Sequence, residues 1–128
     1  MEKRILKQWL LPLGLRDRNP GGPMNFKNID IDIHSIKKDD LNNYELIDIR
    51  EADEIKDWPP LRPCRHVPFS RFPFNKNEFD KNKVYLIFCA RGGRSHAMAE
   101  ALAKEDYKAL SVNNGIASVN AYLKKLDA

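Results

Sequence analysis

The sequence predicts an α/β domain in which helices cover both faces of a mainly parallel β-sheet. Three observations predict it. Val84, Tyr85, Leu86, Ile87 and Phe88 form an unbroken β-prone apolar run, the mark of a strand buried on both sides. Strand-like and helix-like segments alternate along the chain, as they do in βαβ units. The 128 residues, 42% of them hydrophobic, suffice for one core without disulfide staples.

The chain opens on "MEKRILKQWLLPLGLRDRNPGGP", which closes on a breaker cluster of Asn, Pro and Gly. From Met24 the composition turns to Asn, Ile, Lys and Asp, so the expected domain runs from 24 to 128. Residues 1–23 are left as a leader, a docking or fold-extending arm, or a targeting peptide. "NFKNIDIDI" (25–33) alternates enough for a first strand, at an edge given its Asp and Lys. "SIKKDDL" (35–41) offers Ser35 as an N-cap before a short helix, and "YELIDIRE" (44–51) is a second strand. "EADEIKDW" (51–58) is helix-forming and stops at Pro59-Pro60, which lack amide hydrogens. "RHVPF" (65–69) is a short third strand, followed by a loop with Pro73 and the polar run 75–83. After the strand 84–88, the alanine-rich "SHAMAEALAKEDY" (95–107) is helical. "KALSVNN" (108–114) is the last strand. "ASVNAYLKKL" (117–126) is a closing helix with Val119, Tyr122, Leu123 and Leu126 on one face.

Charge and composition exclude several classes of function. The net charge is +4, of which residues 1–23 carry +3, so the folded part is almost neutral and shows no basic face with aromatic readers. Neither a nucleic-acid partner nor a membrane partner is expected, and no run approaches the roughly 18 apolar residues of a spanning helix. Three histidines (His34, His66, His96) without Cys-x-x-Cys or His-x-x-x-His spacing give no support for a metal site, and no cofactor is called for. Two cysteines, Cys64 and Cys89, are too few for a disulfide framework, which points to a reducing, cytoplasmic compartment.

The chemistry is concentrated in "CARGGRS", residues 89–95. Cys89 ends the apolar strand where the chain turns, and ligands of parallel sheets bind outside the carboxyl ends of strands. Gly92 and Gly93 let the turn curl so that backbone N–H groups point into one bowl, and the helix that follows adds its positive end. Arg91 and Arg94 bring two guanidinium groups there. A thiol so placed has its pKa lowered from about 8.5 toward roughly 3.5–7.5. These residues describe a nucleophilic cysteine in an anion cradle, set against the plainer reading of a buried structural thiol. Arg94 either orients an anion or makes a structural ion pair with Asp48 or another carboxylate. Ser95 reads as the helix cap, since no Gly-x-Ser-x-Gly elbow makes it a nucleophile. His96 reads as a solvated ring. Cys64 is either an unrelated loop cysteine or a resolving thiol for an oxidised Cys89.

In this loop and around it the sequence resembles the rhodanese superfamily over nearly all of residues 25–128. "LIDIREADE" (46–54) is similar to the family's Leu-Ile-Asp-Val-Arg segment with its following acidic residue, and "RHVPF" to its stretch ending in Val-Pro. "CARGGRSHAMAEAL" (89–102) is similar to its Cys-x-x-Gly-x-Arg-Ser loop and helix. "LSVNNGI" (110–116) resembles its strand leading to Gly-Gly, with Asn114 in place of the first glycine. The resemblance implies a single rhodanese-like domain and a thiosulfate:acceptor or related sulfurtransferase. Cys89 would take sulfane sulfur from a small sulfur-containing anion or persulfide donor, hold it as a persulfide, and pass it to a thiol, cyanide or protein acceptor. The backbone amides of Ala90, Arg91, Gly92, Gly93, Arg94 and Ser95 would cradle the sulfur, with Arg91 and Arg94 orienting the donor. Asp48 and Arg50 would be ion-paired support beneath the site. The alternatives are a persulfide carrier or a non-enzymatic binding module for a protein partner. Phosphatase or arsenate-reductase chemistry is less well matched, because Cys89 and Arg94 enclose four residues where those enzymes enclose five.

Overall fold

A computed structural model of the chain describes residues 29–71 and 78–127. Its sheet has five strands: β1 (Asp30–Ile31), β2 (Tyr44–Asp48), β3 (Arg65–His66), β4 (Val84–Phe88) and β5 (Lys108–Val112). Their order is β1-β5-β4-β2-β3, and every pairing is parallel. The helices are α1 (Ala52–Asp57), α2 (Gly93–Lys104) and α3 (Gly115–Leu126), with 3-10 turns at Ile33–Ser35, Lys38–Asn43 and Phe69–Arg71.

The alternation of β4 explains its unbroken apolar run. Tyr85, Ile87 and Cys89 join a core with Met98, Ala99 and Leu102 of α2. Val84, Leu86 and Phe88 point the other way, into a core with Ile116, Val119, Tyr122 and Leu123 of α3. With helices on both faces, no position on the strand can be polar without loss, since each large apolar side chain buried there contributes about 1.5–3 kcal/mol. β5 repeats the pattern, Ala109 toward α2 and Leu110 and Val112 toward α3. Of the expected face of the closing helix, Val119, Tyr122 and Leu123 are buried and Leu126 is half-buried.

Strand order places the site. From β4 the chain crosses by α2 to β5 on one side, and from β2 it crosses by α1 to β3 on the other. The connections diverge between β2 and β4, which opens a crevice at their carboxyl ends. Asp48 of β2 lies in register with Phe88 of β4, so Arg50 and Cys89 follow the carboxyl ends of neighbouring strands.

Two local expectations are corrected. The first strand is only two residues long within the described part, because Asp32 bends the chain: its carboxylate accepts the His34 amide at 3.0 Å and starts a 3-10 turn. Ser35 is not an N-cap. Its hydroxyl donates back to the Asp32 carbonyl at 2.7 Å, and the next turn, itself 3-10 and not α, begins after Lys37 with no side-chain cap. α1 is held instead by a reciprocal capping box of Glu51 and Glu54 and ends at Trp58, ahead of Pro59-Pro60. The expected arm at 1–23, the boundary at Met24, the first part of the expected strand 25–33, Pro73 and the start of the polar run lie outside the described residues. No helix among the described residues is long and apolar enough to cross a membrane.

Candidate active site

β4 carries Cys89 to the floor of the crevice, where its residue is 1% exposed. Gly92 then takes φ +124°, a conformation that L side chains rarely adopt, and serves as the N-cap of α2. That turn points the Gly92 amide at the sulfur, N to Sγ 3.1 Å. The thiol in turn donates toward the Ser95 hydroxyl at 3.5 Å. Burial alone would raise the thiol's pKa. Hydrogen bonds from the Ser95 hydroxyl and from the amides of Ser95, Arg91 and Gly92 outweigh it and hold the pKa below its ordinary value.

Ser95 corrects the expected cap. Gly92 holds that position, and Ser95 sits inside the first turn, fully buried. Its oxygen lies 2.7 Å from the Ser111 hydroxyl of β5 and 3.2 Å from the Gly92 carbonyl. The loop is also clamped from α3. The Ile116 amide donates to the Cys89 carbonyl at 2.9 Å. Gly115, at φ +56°, lies so close that a β-carbon would overlap the carbonyl oxygens of Cys89 and Ala90. Asn114 occupies the left-handed region at φ 65°, which asparagine tolerates better than most residues, so it can stand where a glycine was expected.

The charged groups form a chain leading away from the sulfur. Arg94 is paired bidentately with Glu54, 2.7 Å at each oxygen. The Arg94 guanidinium holds the Glu54 carboxyl down at about 2. Glu54 also accepts the Glu51 amide, and its carbonyl accepts from Arg50 at 3.3 Å. Arg50, 2% exposed, pairs with both oxygens of Asp48 at 2.8–3.2 Å. Of the two open readings of Arg94, the ion pair is the one observed, with Glu54 and not Asp48 as its partner. Arg91 is exposed at the rim and Ala90 is half-buried. His96, read as solvated, is about two-fifths exposed and bonded to Asp30 at 2.9 Å, which raises its pKa.

Cys64 packs with the α3-side core, opposite the face that holds Cys89. Its thiol donates to the Arg62 carbonyl, and burial pushes its pKa up to about 11. Both traits suit an inert thiol better than a resolving one. No group of three metal-ligating side chains occurs among the described residues. Sequence reasoning missed Glu54, Ser111 and the clamp at Gly115. The Glu51-x-x-Glu54 capping spacing at the start of α1 and the loop arginine Arg94 were signals for the first.

The Glu54 pair gives a testable linkage. A carboxyl with a depressed folded pKa adds stability that is present above its unfolded value, about 4.3, and is lost as pH falls through about 2. Glu54→Gln is expected to cost about 1 kcal/mol at neutral pH, the upper end for a partly exposed pair. Urea titrations at pH 6 and pH 3 should show a smaller gap between variant and wild type at the lower pH; an equal gap would contradict the assignment.

A model of the rhodanese-like domain matches residues 34–122. Among curated proteins, the chain is similar to the tRNA sulfurtransferase of Aliivibrio fischeri, 34% identical over 71 residues, or 52% of this chain and 14% of that protein. It is also similar to the tRNA sulfurtransferase of Vibrio cholerae, 27% identical over 85 residues, or 63% and 17%. The chain thus spans well under a fifth of the length of these relatives. Among solved structures, a rhodanese-like domain protein from Staphylococcus aureus aligns with a TM-score of 0.60 and 27% identity, covering 70% of this chain and 88% of that one. A rhodanese-related protein from Thermoplasma volcanium shares the fold, with a TM-score of 0.57 and 23% identity over 68% and 83%.

Proposed function

The chain belongs to the rhodanese-like domain family, and from that premise we propose that it is a sulfurtransferase working through a Cys89 persulfide. The observation that carries this reading is the Gly92 amide 3.1 Å from the Cys89 sulfur at the start of α2. An N–H aimed at sulfur, next to the positive end of a helix, stabilises an anion there. Thiolate and terminal persulfide sulfur are both such anions.

In the first half-reaction the Cys89 thiolate attacks the outer sulfur of thiosulfate or of a persulfide. The new S–S bond forms as the old one breaks, and sulfite or a thiolate leaves with the electron pair. In the second, a thiol, cyanide or a protein acceptor attacks the terminal sulfur and Cys89 leaves as thiolate. Splitting the transfer this way avoids any encounter between donor and acceptor. The amides of Ala90 to Ser95 cradle the charge, and Arg91 at the rim orients an anionic donor. Arg94 acts through its pair with Glu54, holding the first turn of α2 against α1. Asp48 and Arg50 support that arrangement from β2. The proposed setting is reducing and cytoplasmic, where a low-pKa thiol stays free.

Steady-state sulfur transfer from thiosulfate and from cysteine persulfide to cyanide tests the scheme. Double-reciprocal plots should be parallel, Cys89→Ala should fall to background, and Cys64→Ala should match wild type. Rates should level off below pH 8.5, the usual thiol value, which is about where an unperturbed thiol would be half-ionised. Activity that survives Cys89→Ala would overturn the proposal.

A further inference from the structure

We propose that Ser111 is a positioning residue for Cys89: its buried hydroxyl, directly behind that of Ser95, lets Ser95 turn its proton onto the sulfur when the thiol ionises. The proposal extends the reading of Cys89 as the nucleophile. Ser95 and Ser111 are 0% and 1% exposed, so each hydroxyl must be satisfied by protein groups. The Ser95 oxygen has three neighbours, Cys89 Sγ at 3.5 Å, the Gly92 carbonyl at 3.2 Å and Ser111 Oγ at 2.7 Å, but a hydroxyl has one proton to give.

While Cys89 is a thiol, its S–H donates to Ser95 and the Ser95 proton goes to Gly92 O or to Ser111. Once the thiol proton has left to solvent, sulfur can only accept. The Ser95 hydroxyl then turns to Sγ, and its oxygen loses the donor it had. Ser111 O–H supplies the replacement. The Gly92 carbonyl is not orphaned by the turn, because it still accepts the His96 amide at 3.0 Å. Without Ser111 the thiolate form would leave a buried oxygen short of a donor.

The placement of Ser111 fits this role. Along β5, Ala109 and Ser111 face α2 while Leu110 and Val112 face α3, so Ser111 puts a hydroxyl into an otherwise apolar layer at the strand end nearest the loop. A bare hydroxyl there would be unfavourable, and among the described residues the Ser95 oxygen is the side-chain partner it bonds. Among the described residues the charged groups around Cys89 make their side-chain bonds to partners other than Ser111, although Asp30 lies in register with it on β1. Arg94 is tied to Glu54, Asp48 to Arg50 and His96 to Asp30, while Arg91 lies at the exposed rim.

The test reads the ionisation of Cys89 directly. In the 128-residue chain carrying Cys64→Ala, the rate of alkylation by iodoacetamide is followed against pH for the parent, Ser111→Ala, Ser111→Thr and Ser111→Val. Loss of a hydrogen bond that favours the charged form should raise the midpoint in Ser111→Ala by roughly one pH unit, a tenfold loss of thiolate on the acid side. Threonine and valine have the same shape, so a midpoint lower in Ser111→Thr than in Ser111→Val isolates the hydroxyl even if the alanine variant folds poorly. Equal midpoints for Thr and Val overturn the proposal. Alkylation needs no sulfur donor, so the two readings fail separately. An unshifted midpoint with normal sulfur loading refutes the Ser111 role alone. A shifted one without loading supports Ser111 and sinks the sulfurtransferase reading.

Discussion

Asp48→Asn is expected to destabilise the domain by about 3–5 kcal/mol, the range for breaking a buried ion pair from one side. Arg50 is 2% exposed, and among the described residues Asp48 is the carboxylate its guanidinium bonds directly, with the Glu54 carbonyl as a further acceptor. Asparagine keeps the size and one acceptor oxygen, but it removes the charge that offsets a guanidinium only 2% exposed. Against a typical domain stability of about 5–15 kcal/mol, this is about a fifth or more of the total. Urea unfolding checks it, with Asp48→Asn/Arg50→Met beside it. Removing both charges should recover much of the loss, because the penalty lies in the orphaned cation and not in the missing pair. A single-variant loss under about 1 kcal/mol would mean that the pair is solvated in solution.

Gly115→Ala should be nearly as damaging, by about 2–5 kcal/mol, and it should act on the loop that holds Cys89. The left-handed conformation at φ +56° costs a non-glycine residue about 1–2 kcal/mol. Overpacking adds about 1–3 kcal/mol, because the new methyl would overlap carbonyl oxygens of Cys89 and Ala90. These are backbone atoms that cannot swing aside. The loop must therefore shift, taking the sulfur away from the Gly92 amide. Gly93→Ala is the contrast: a β-carbon there meets nothing within 4 Å and φ is ordinary, so its unfolding midpoint should stay close to wild type. Thermal melts of the two variants should separate clearly; a Gly115→Ala protein as stable as Gly93→Ala would contradict the close packing of α3 on the loop.

The sheet was most readable in the chain where burial on two faces left a continuous apolar run, as at 84–88. The local breaks were less so. Asp32 cut the first strand short through a hydrogen bond two residues ahead, a choice that alternation alone does not reveal. Ser95 has a capping residue's chemistry, but Gly92 can take the positive φ that the turn needs, so the helix starts earlier and the serine is carried into the core. Cys89 and its two glycines were legible because they lie within a few residues of one another, whereas the Asp48–Arg50 pair was expected only from the family resemblance. Glu54 and Ser111 were not legible. Glu54 meets Arg94 across 40 residues of chain, and Ser111 meets Ser95 across 16, so only the folded strand order brings them together.

The most direct measurement is the intact mass of the protein after brief incubation with thiosulfate and, separately, with a cysteine persulfide. Wild type and Cys64→Ser should each gain one sulfur atom, which cyanide or a thiol removes, and Cys89→Ser should gain none. A wild-type protein that takes up no sulfur from either donor, or a Cys89→Ser variant that still does, would contradict the account.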